Sequence, residues 1–228
     1  GRITAHDLRT PLSVINMNLH LITRSTELPF IRERAGRIEE QVHKLNSIID
    51  DLQLISRLEA GLLPHWELLS INNVITHVVE QLDRLRAARQ IHIDSVLGSD
   101  IPDFESDTYY LAACFLALVE NALLYTNAEG TVTIRSWYAD KQIHIAIQDT
   151  GIGILDEEQA HIFEPFFKGE RARRVEGSGA GLGLSIVRRV VAMHGGSIDV
   201  TSEVDVGSTF TVHLPQQPFP HTNSEPIL

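Results

Sequence analysis

The sequence predicts an α+β chain in two parts. A helical hairpin forming a dimeric four-helix bundle comes first, and an α/β sandwich with one mixed sheet follows. Three observations predict this. Residues 5–22 carry apolar side chains at Ala5, Leu8, Leu12, Ile15, Leu19 and Ile22, stepping by three and four as in a coiled-coil seam. Ile38, Val42, Leu45, Ile49 and Leu52 repeat the pattern, and Ile55 and Leu58 extend that face. After Pro64 the period changes, and short alternating runs interleave with helix-period segments.

The first helix breaks at S-T-E-L-P (25–29), and the second is stopped by Gly61 and Pro64. A hairpin with one apolar face cannot cover that face alone, so a homodimer is expected. Residues 1–62 form this first unit and residues 66–215 the second. In the second, 70–88 reads as one amphipathic helix and Q-I-H-I-D-S-V (90–96) as a strand. Residues 107–126 read as a mostly buried helix. Thr131–Tyr138 and Gln142–Gln148 form a β-hairpin across A-D-K. A helix over 182–194, closed by Gly195 and Gly196, and strands over 197–203 and 208–214 complete helices layered on a sheet. The proline-rich stretch 216–228 reads as a disordered tail.

The composition, 43% hydrophobic and 21% charged, is that of a globular chain. A net charge of −11 argues against a general nucleic-acid partner, because phosphate backbones demand a cationic surface. The single cysteine, Cys114, sits in an apolar run and reads as a core thiol in a reducing compartment. No run approaches the roughly 20 apolar residues of a membrane helix. The expected location is the cytoplasm, with any membrane attachment made only through a region outside this sequence. The chain opens with helical pattern already under way, which reads as the catalytic end of something longer.

Four segments carry chemistry. In H-D-L-R-T-P, His6 lies one step off the seam, accessible at the bundle's flank. Asp7 can accept from one ring nitrogen and leave the other nucleophilic. Thr10, four residues on, shares the face of His6 and can position a water, and Pro11 should bend the helix just beyond. In E-N-A-L-L-Y-T, the amide oxygen of Asn121, preceded by Glu120, suits Mg²⁺, which takes few protein ligands. In D-T-G-I-G, Asp149 ends a strand where a carboxylate can accept from an adenine amine, and Gly151 and Gly153 allow close approach. In G-S-G-A-G-L-G-L, bare amides at Gly177, Gly179, Gly181 and Gly183, with Leu182 as a further binding residue, lead into a helix N-terminus, an anion site without the lysine of a P-loop. Between the glycine segments, F-E-P-F-F-K reads as part of a lid. Phe163, Phe166 and Phe167 anchor it, Lys168 reaches phosphate, and Arg171, Arg173 and Arg174 are solvated charge.

With these motifs in this order, residues 1–214 resemble the sensor histidine kinases of two-component signalling. S-R-L-E-A-G (56–61), H-G-G-S-I (194–198) and V-G-S-T-F (206–210) share the likeness. The resemblance implies a dimerisation and phosphotransfer hairpin joined to an ATP-binding domain of the gyrase, Hsp90, kinase and MutL type. It implies His6 as phospho-acceptor, Asp7 as its orienting group, and Thr10 as the residue aiding dephosphorylation of a response regulator receiver domain. Asn121 is implied as the Mg²⁺ ligand, Tyr125 as a nucleotide-pocket residue, Asp149 as the adenine reader, and Lys168 as a phosphate contact. Two positions depart from the family pattern: Ala117 stands where an Asn is usual, and Leu124 where a Lys or Arg is usual. Charge-assisted contacts are worth about 1.5–3 kcal/mol each, so a slow kinase is one expectation. A phosphatase-dominant enzyme and a nucleotide-sensing dimeric module without turnover are the alternatives.

Overall fold

The computed structural model describes residues 5–60, 64–175 and 179–216, without the side chains of residues 5–8 and Glu59. The expected tail, Gly61 and Gly177 lie outside the described residues, apart from Gln216. Helix α1 spans Ala5–Ile22 and includes Pro11, and α2 spans Leu28–Glu59 with Pro29 in its first turn. Proline is tolerated there because the first-turn amides have no intrahelical partner. The second helix therefore starts ten residues before its apolar seam. Residues 28–37, with Arg32, Glu33, Arg34 and Arg37 among them, add no residue to the buried core, so periodicity could not reveal this part of the helix.

The seam of α1 is not one face. Pro11 and Asn18 are buried against the hairpin, while Leu12 and Leu19 are about half exposed at 49% and 47%. Met17, Val42 and Ile49 are exposed as well. A single hairpin thus leaves an apolar surface beside the one it buries. Pairing Ile22 with Leu28 across the turn sets backbone position 6 level with Lys44, since both helices rise about 1.5 Å per residue.

Beyond Pro64, strand β1 (Glu67–Leu69) pairs antiparallel with β3 (Phe104–Ser106), a small sheet whose short strands gave no alternation to read. The expected helix over 70–88 is two, α3 (Ile71–Gln81) and α4 (Asp83–Arg89). Leu82 between them leaves helical geometry at φ −90°, ψ 3° and is buried at 8%. Strand β2 is His92–Leu97, and α5 is Thr108–Tyr125. Asp107 caps α5, accepting from the amides of Tyr109 and Tyr110 and, through its other oxygen, from His65.

Strands β4 (Thr131–Ala139) and β5 (Gln142–Asp149) meet at Asp140 and Lys141, both with positive φ. That is the type I′ geometry that matches strand twist. A short helix α6 (Asp156–Gln159) and a 3₁₀ turn (Ala172–Arg174) precede α7 (Gly183–Met193), β6 (Ser197–Glu203) and β7 (Gly207–Pro215). The five-stranded sheet runs β2-β4-β5-β7-β6 and is mixed, with β2 parallel to β4 and the other pairs antiparallel.

Helices α3, α5 and α7 cover one sheet face. Val132 and Ile134, then Ile143, Ile145 and Ile147, then Phe210, Val212 and Leu214 point into that core at strand period two. Helix α5 is long and apolar enough to cross a membrane by composition (mean hydropathy 1.3), contrary to the sequence expectation. Here Leu111, Cys114, Phe115, Leu118 and Leu123 bury it in the core.

Helix α2 also reaches this core. Leu54 is 4% exposed within it, and the Arg57 guanidinium stands 5.7 Å over the Tyr109 ring. Leu54→Ala should lower the unfolding free energy of the intact chain by about 2–5 kcal/mol, measured by urea denaturation.

Candidate functional site

A cavity of about 1390 Å³ opens between α2, α5, the glycine segments and the lid. Asp149, the last residue of β5, is 6% exposed at its base. Its Oδ1 accepts from the amides of Gly151 (2.8 Å) and Ser208 (3.2 Å). Among the described residues no donor reaches its Oδ2, and Asp149 is one of the residues that line the cavity. Burial pushes the carboxyl up to about 6, against the lowering effect of the two amides.

The glycines make this close packing possible. A Cβ on Gly151 would meet the Tyr125 carbonyl oxygen at 2.4 Å, so the D-T-G turn lies directly on the end of α5. Gly153 has φ +66°, and a Cβ there would meet the Glu203 carbonyl oxygen at 2.1 Å. Side chains are excluded from that turn on both conformational and steric grounds.

Asn121, Glu120 and Tyr125 line the same cavity from α5, as do Gly153, Lys168, Gly179, Gly181, Leu182 and Gly183. Gly151 stands behind Asp149 instead. Glu120 is open to water in the cleft, yet the surrounding protein mass raises its carboxyl above the usual range, and burial likewise raises the Tyr125 phenol. Leu182 is 1% exposed, so its contribution is to α7 packing and backbone, not to an open wall. His6 and Asp7 lie on α1 with side chains outside the described ones, and Thr10 is exposed on the next turn.

The segment expected as a lid is fastened at several points. Phe163 is buried and meets Phe210 edge-on, while Phe166 and Phe167 pack partly against the core. The Phe166 amide donates to the Gly181 carbonyl (2.8 Å), tying the lid to the second glycine segment. Arg171 was expected as solvated charge; it pairs with Asp205 and lines the cavity. Arg173 donates to the Lys168 carbonyl, and Arg174 pairs with Glu170 on the surface.

The structure gives the two departures a packing logic. Ala117 lies where a Cβ on Gly183 would stand 3.4 Å from its own Cβ, so small residues let α5 and α7 approach. Leu124 is buried, and its carbonyl accepts from the Arg89 guanidinium (2.9 Å), which lines the cavity from α4. Sequence reasoning assigned Arg89 no role, because its partner is 35 positions away.

Asp51 was also missed. It brings α2 to the cavity wall, and burial, with help from Glu120 and Asp50, pushes its carboxyl up to about 7. A folded value raised above the unfolded one stabilises the neutral form, and that stabilisation is lost as pH rises through about 7. Asp51→Asn should therefore melt above the parent chain at pH 8, with the gap closing toward pH 4, in thermal scans.

Two family models cover most of the chain. The "His Kinase A (phospho-acceptor) domain" matches residues 2–61, and the "Histidine kinase-, DNA gyrase B-, and HSP90-like ATPase" matches residues 106–218. The chain belongs to the sensor histidine kinases. The sensor histidine kinase RppB of a Synechocystis strain is 36% identical over 217 residues, covering 92% of this chain and 47% of the relative. The sensor-like histidine kinase SenX3 of Mycolicibacterium smegmatis is 32% identical, covering 97% and 58%. The chain thus spans about half the length of the curated relatives it matches.

Solved histidine kinases share the fold. Acinetobacter baumannii AdeS matches at TM-score 0.71 and 23% identity over 93% of this chain and 98% of that one. Full-length ShkA, solved with AMPPNP, matches at TM-score 0.69 and 28% identity over 92% and 44%. ThkA, solved with the response regulator TrrA, matches at TM-score 0.73 and 21% identity over 93% and 59%.

Proposed function

We propose that this chain is the ATP-dependent, autophosphorylating core of a two-component histidine kinase. Residues 1–62 serve as its dimerisation and phosphotransfer unit and residues 66–215 as its ATP-binding unit. The observation that carries the reading is the shared cavity. Lys44, level with position 6 across the hairpin, lines the same space as Asp149, Asn121 and Lys168. This supports a nucleotide held within reach of the hairpin that carries His6.

Asp149 accepts from the adenine amine, Gly179 to Gly183 give backbone amides to phosphates, and Lys168 adds charge. Mg²⁺ fits the donor set. Asn121 and Glu120 offer two oxygens from adjacent positions, and no three His, Cys, Asp or Glu side chains converge among the described residues. That suits a cation that keeps several waters, and when bound it neutralises phosphate charge. Asp7 holds one ring nitrogen of His6 so that the other attacks the γ-phosphorus. The phosphorus–oxygen bond to the β-phosphate breaks and ADP leaves, with positioning supplying most of the rate.

The exposed Leu12, Met17, Leu19, Val42 and Ile49 fit a second copy completing a four-helix bundle. The phosphoryl group passes to an aspartate of a response regulator receiver domain docked on the bundle, in the cytoplasm. ShkA's AMPPNP and ThkA's regulator complex support these assignments by likeness. Incubation with γ-labelled ATP and Mg²⁺ tests the reading: acid-labile, base-stable label on the protein is expected. ATP binding without such label would instead identify a nucleotide-sensing module.

The apolar Ala117 and Leu124 at the phosphate end favour a second activity, removal of phosphate from the regulator, with Thr10 positioning water. Thr10→Ala should keep autophosphorylation within about twofold and lose most regulator dephosphorylation, since only the second step needs an aligned water. Time courses with phosphorylated regulator measure the split.

A further inference from the structure

The sheet face turned away from α3, α5 and α7 carries a row of rings. Trp137, His144 and His213 are direct cross-strand neighbours on β4, β5 and β7. Their hydrogen bonds impose a constraint. His144 Nε2 lies 3.1 Å from the Ala139 carbonyl oxygen, and His213 Nε2 lies 3.0 Å from Asp199 Oδ2. A carbonyl and a carboxylate only accept, so both Nε2 atoms donate. In a neutral imidazole the other nitrogen is then a bare lone pair. The two Nδ1 atoms point at each other across 2.6 Å. Two lone pairs at that distance repel unless a cation stands between them.

We propose that His144 and His213 form a binding site for a divalent transition cation of the kind imidazole favours, Zn²⁺, Cu²⁺ or Ni²⁺. A single shared proton holds the pair when no metal is bound. The surroundings are those of a metal-binding histidine pair. Ligating imidazoles donate their remote N–H to a carboxylate or backbone carbonyl, which fixes tautomer and ring orientation. Asp199 and Ala139 do this here, one for each ring. Trp137 stacks on His144 at 5.1 Å with an interplanar angle of 10°, holding that ring and favouring positive charge beside it.

Metal–nitrogen bonds of about 2.0–2.1 Å in a tetrahedral site need the nitrogens about 3.3 Å apart. The rings must therefore open by less than about 1 Å. No third His, Cys, Asp or Glu side chain converges there among the described residues, so water completes the coordination. The exchange balances: one M²⁺ binds, one proton leaves the pair, and both Nε2 protons stay. The site lies on the opposite side of the sheet from the cavity.

Calorimetric titration of Zn²⁺ into the intact chain, after removal of divalent ions, tests the site. One binding event is expected, releasing one proton when two buffers of different ionisation enthalpy are compared. His144→Gln and His213→Gln should each abolish it. Asp199→Asn, which leaves both ligands in place, should weaken it by about 10-fold. Cu²⁺ should quench tryptophan emission in the parent chain and not in His144→Gln. Two results overturn the assignment. One is no Zn²⁺ uptake while the two imidazole C–H resonances titrate as a pair, which makes the site a proton site only. The other is a Zn²⁺ event that survives in both glutamine variants.

Discussion

His6→Gln should carry no label from γ-labelled ATP under conditions that label the parent chain, and ATP affinity should stay within about twofold. Glutamine keeps length and polarity but has no nucleophilic ring nitrogen. The substitution also sits on α1, outside the ATP-binding unit, so nucleotide contacts are spared. The two halves of the result do different work: lost label with kept affinity assigns the acceptor, while equal label on both proteins removes His6 from the reaction. Filter binding of labelled protein, with a fluorescent ATP analogue for affinity, reads both.

Asp149→Asn should weaken ATP binding by about 10- to 100-fold, the worth of a charge-assisted hydrogen bond of about 1.5–3 kcal/mol. The fold should survive, because an amide oxygen can still accept from Gly151 and Ser208. It should even gain stability without nucleotide at pH 8. The Asp149 carboxyl is held near 6, above its usual value, so the native state favours the protonated form. That contribution is fully present at low pH and is lost as pH rises through about 6. Adenine needs the opposite state, since only the carboxylate accepts freely. Parent ATP affinity should therefore fall as pH drops below about 6, while the Asn variant should show little such dependence. Titrations at pH 5 and 8 and thermal scans without ligand measure both effects. A variant that binds ATP as tightly as the parent would sink the adenine-reader assignment.

The strongly periodic elements were legible from residues alone. Alternation set β4 and β5, because each buries one face and so imprints its period on the sequence; the apolar run set α5, and the seam set the extent of α1. Elements lacking such a face were hidden. Residues 28–37 extend α2 without core contacts, and β1 and β3 are too short to alternate. Leu82 breaks a helix with no Gly or Pro to announce it. The cavity residues clustered in motifs were likewise readable, since glycine spacing records where backbone must lie on backbone. Asp51 and Arg89 were not, because their partners sit on other elements far along the chain. The seam misled in one respect: Leu12 and Leu19 share its spacing with residues that face the hairpin, and spacing alone cannot divide one apolar stripe between two neighbours.

Leu54 belongs to the long helix of the hairpin yet lies within the hydrophobic core of the sheet unit. Each residue of an α-helix is rotated by about 100° from the next. Turning α2 by one such step would bring exposed Gln53 or partly buried Ile55 to the place Leu54 fills. The joint between the halves is thus a detent with a preferred setting, not a smooth bearing. A torsional input along the helix would be registered only once it exceeds the hold of Leu54 and of Leu52, Ile55 and Leu58, which pack against the same core.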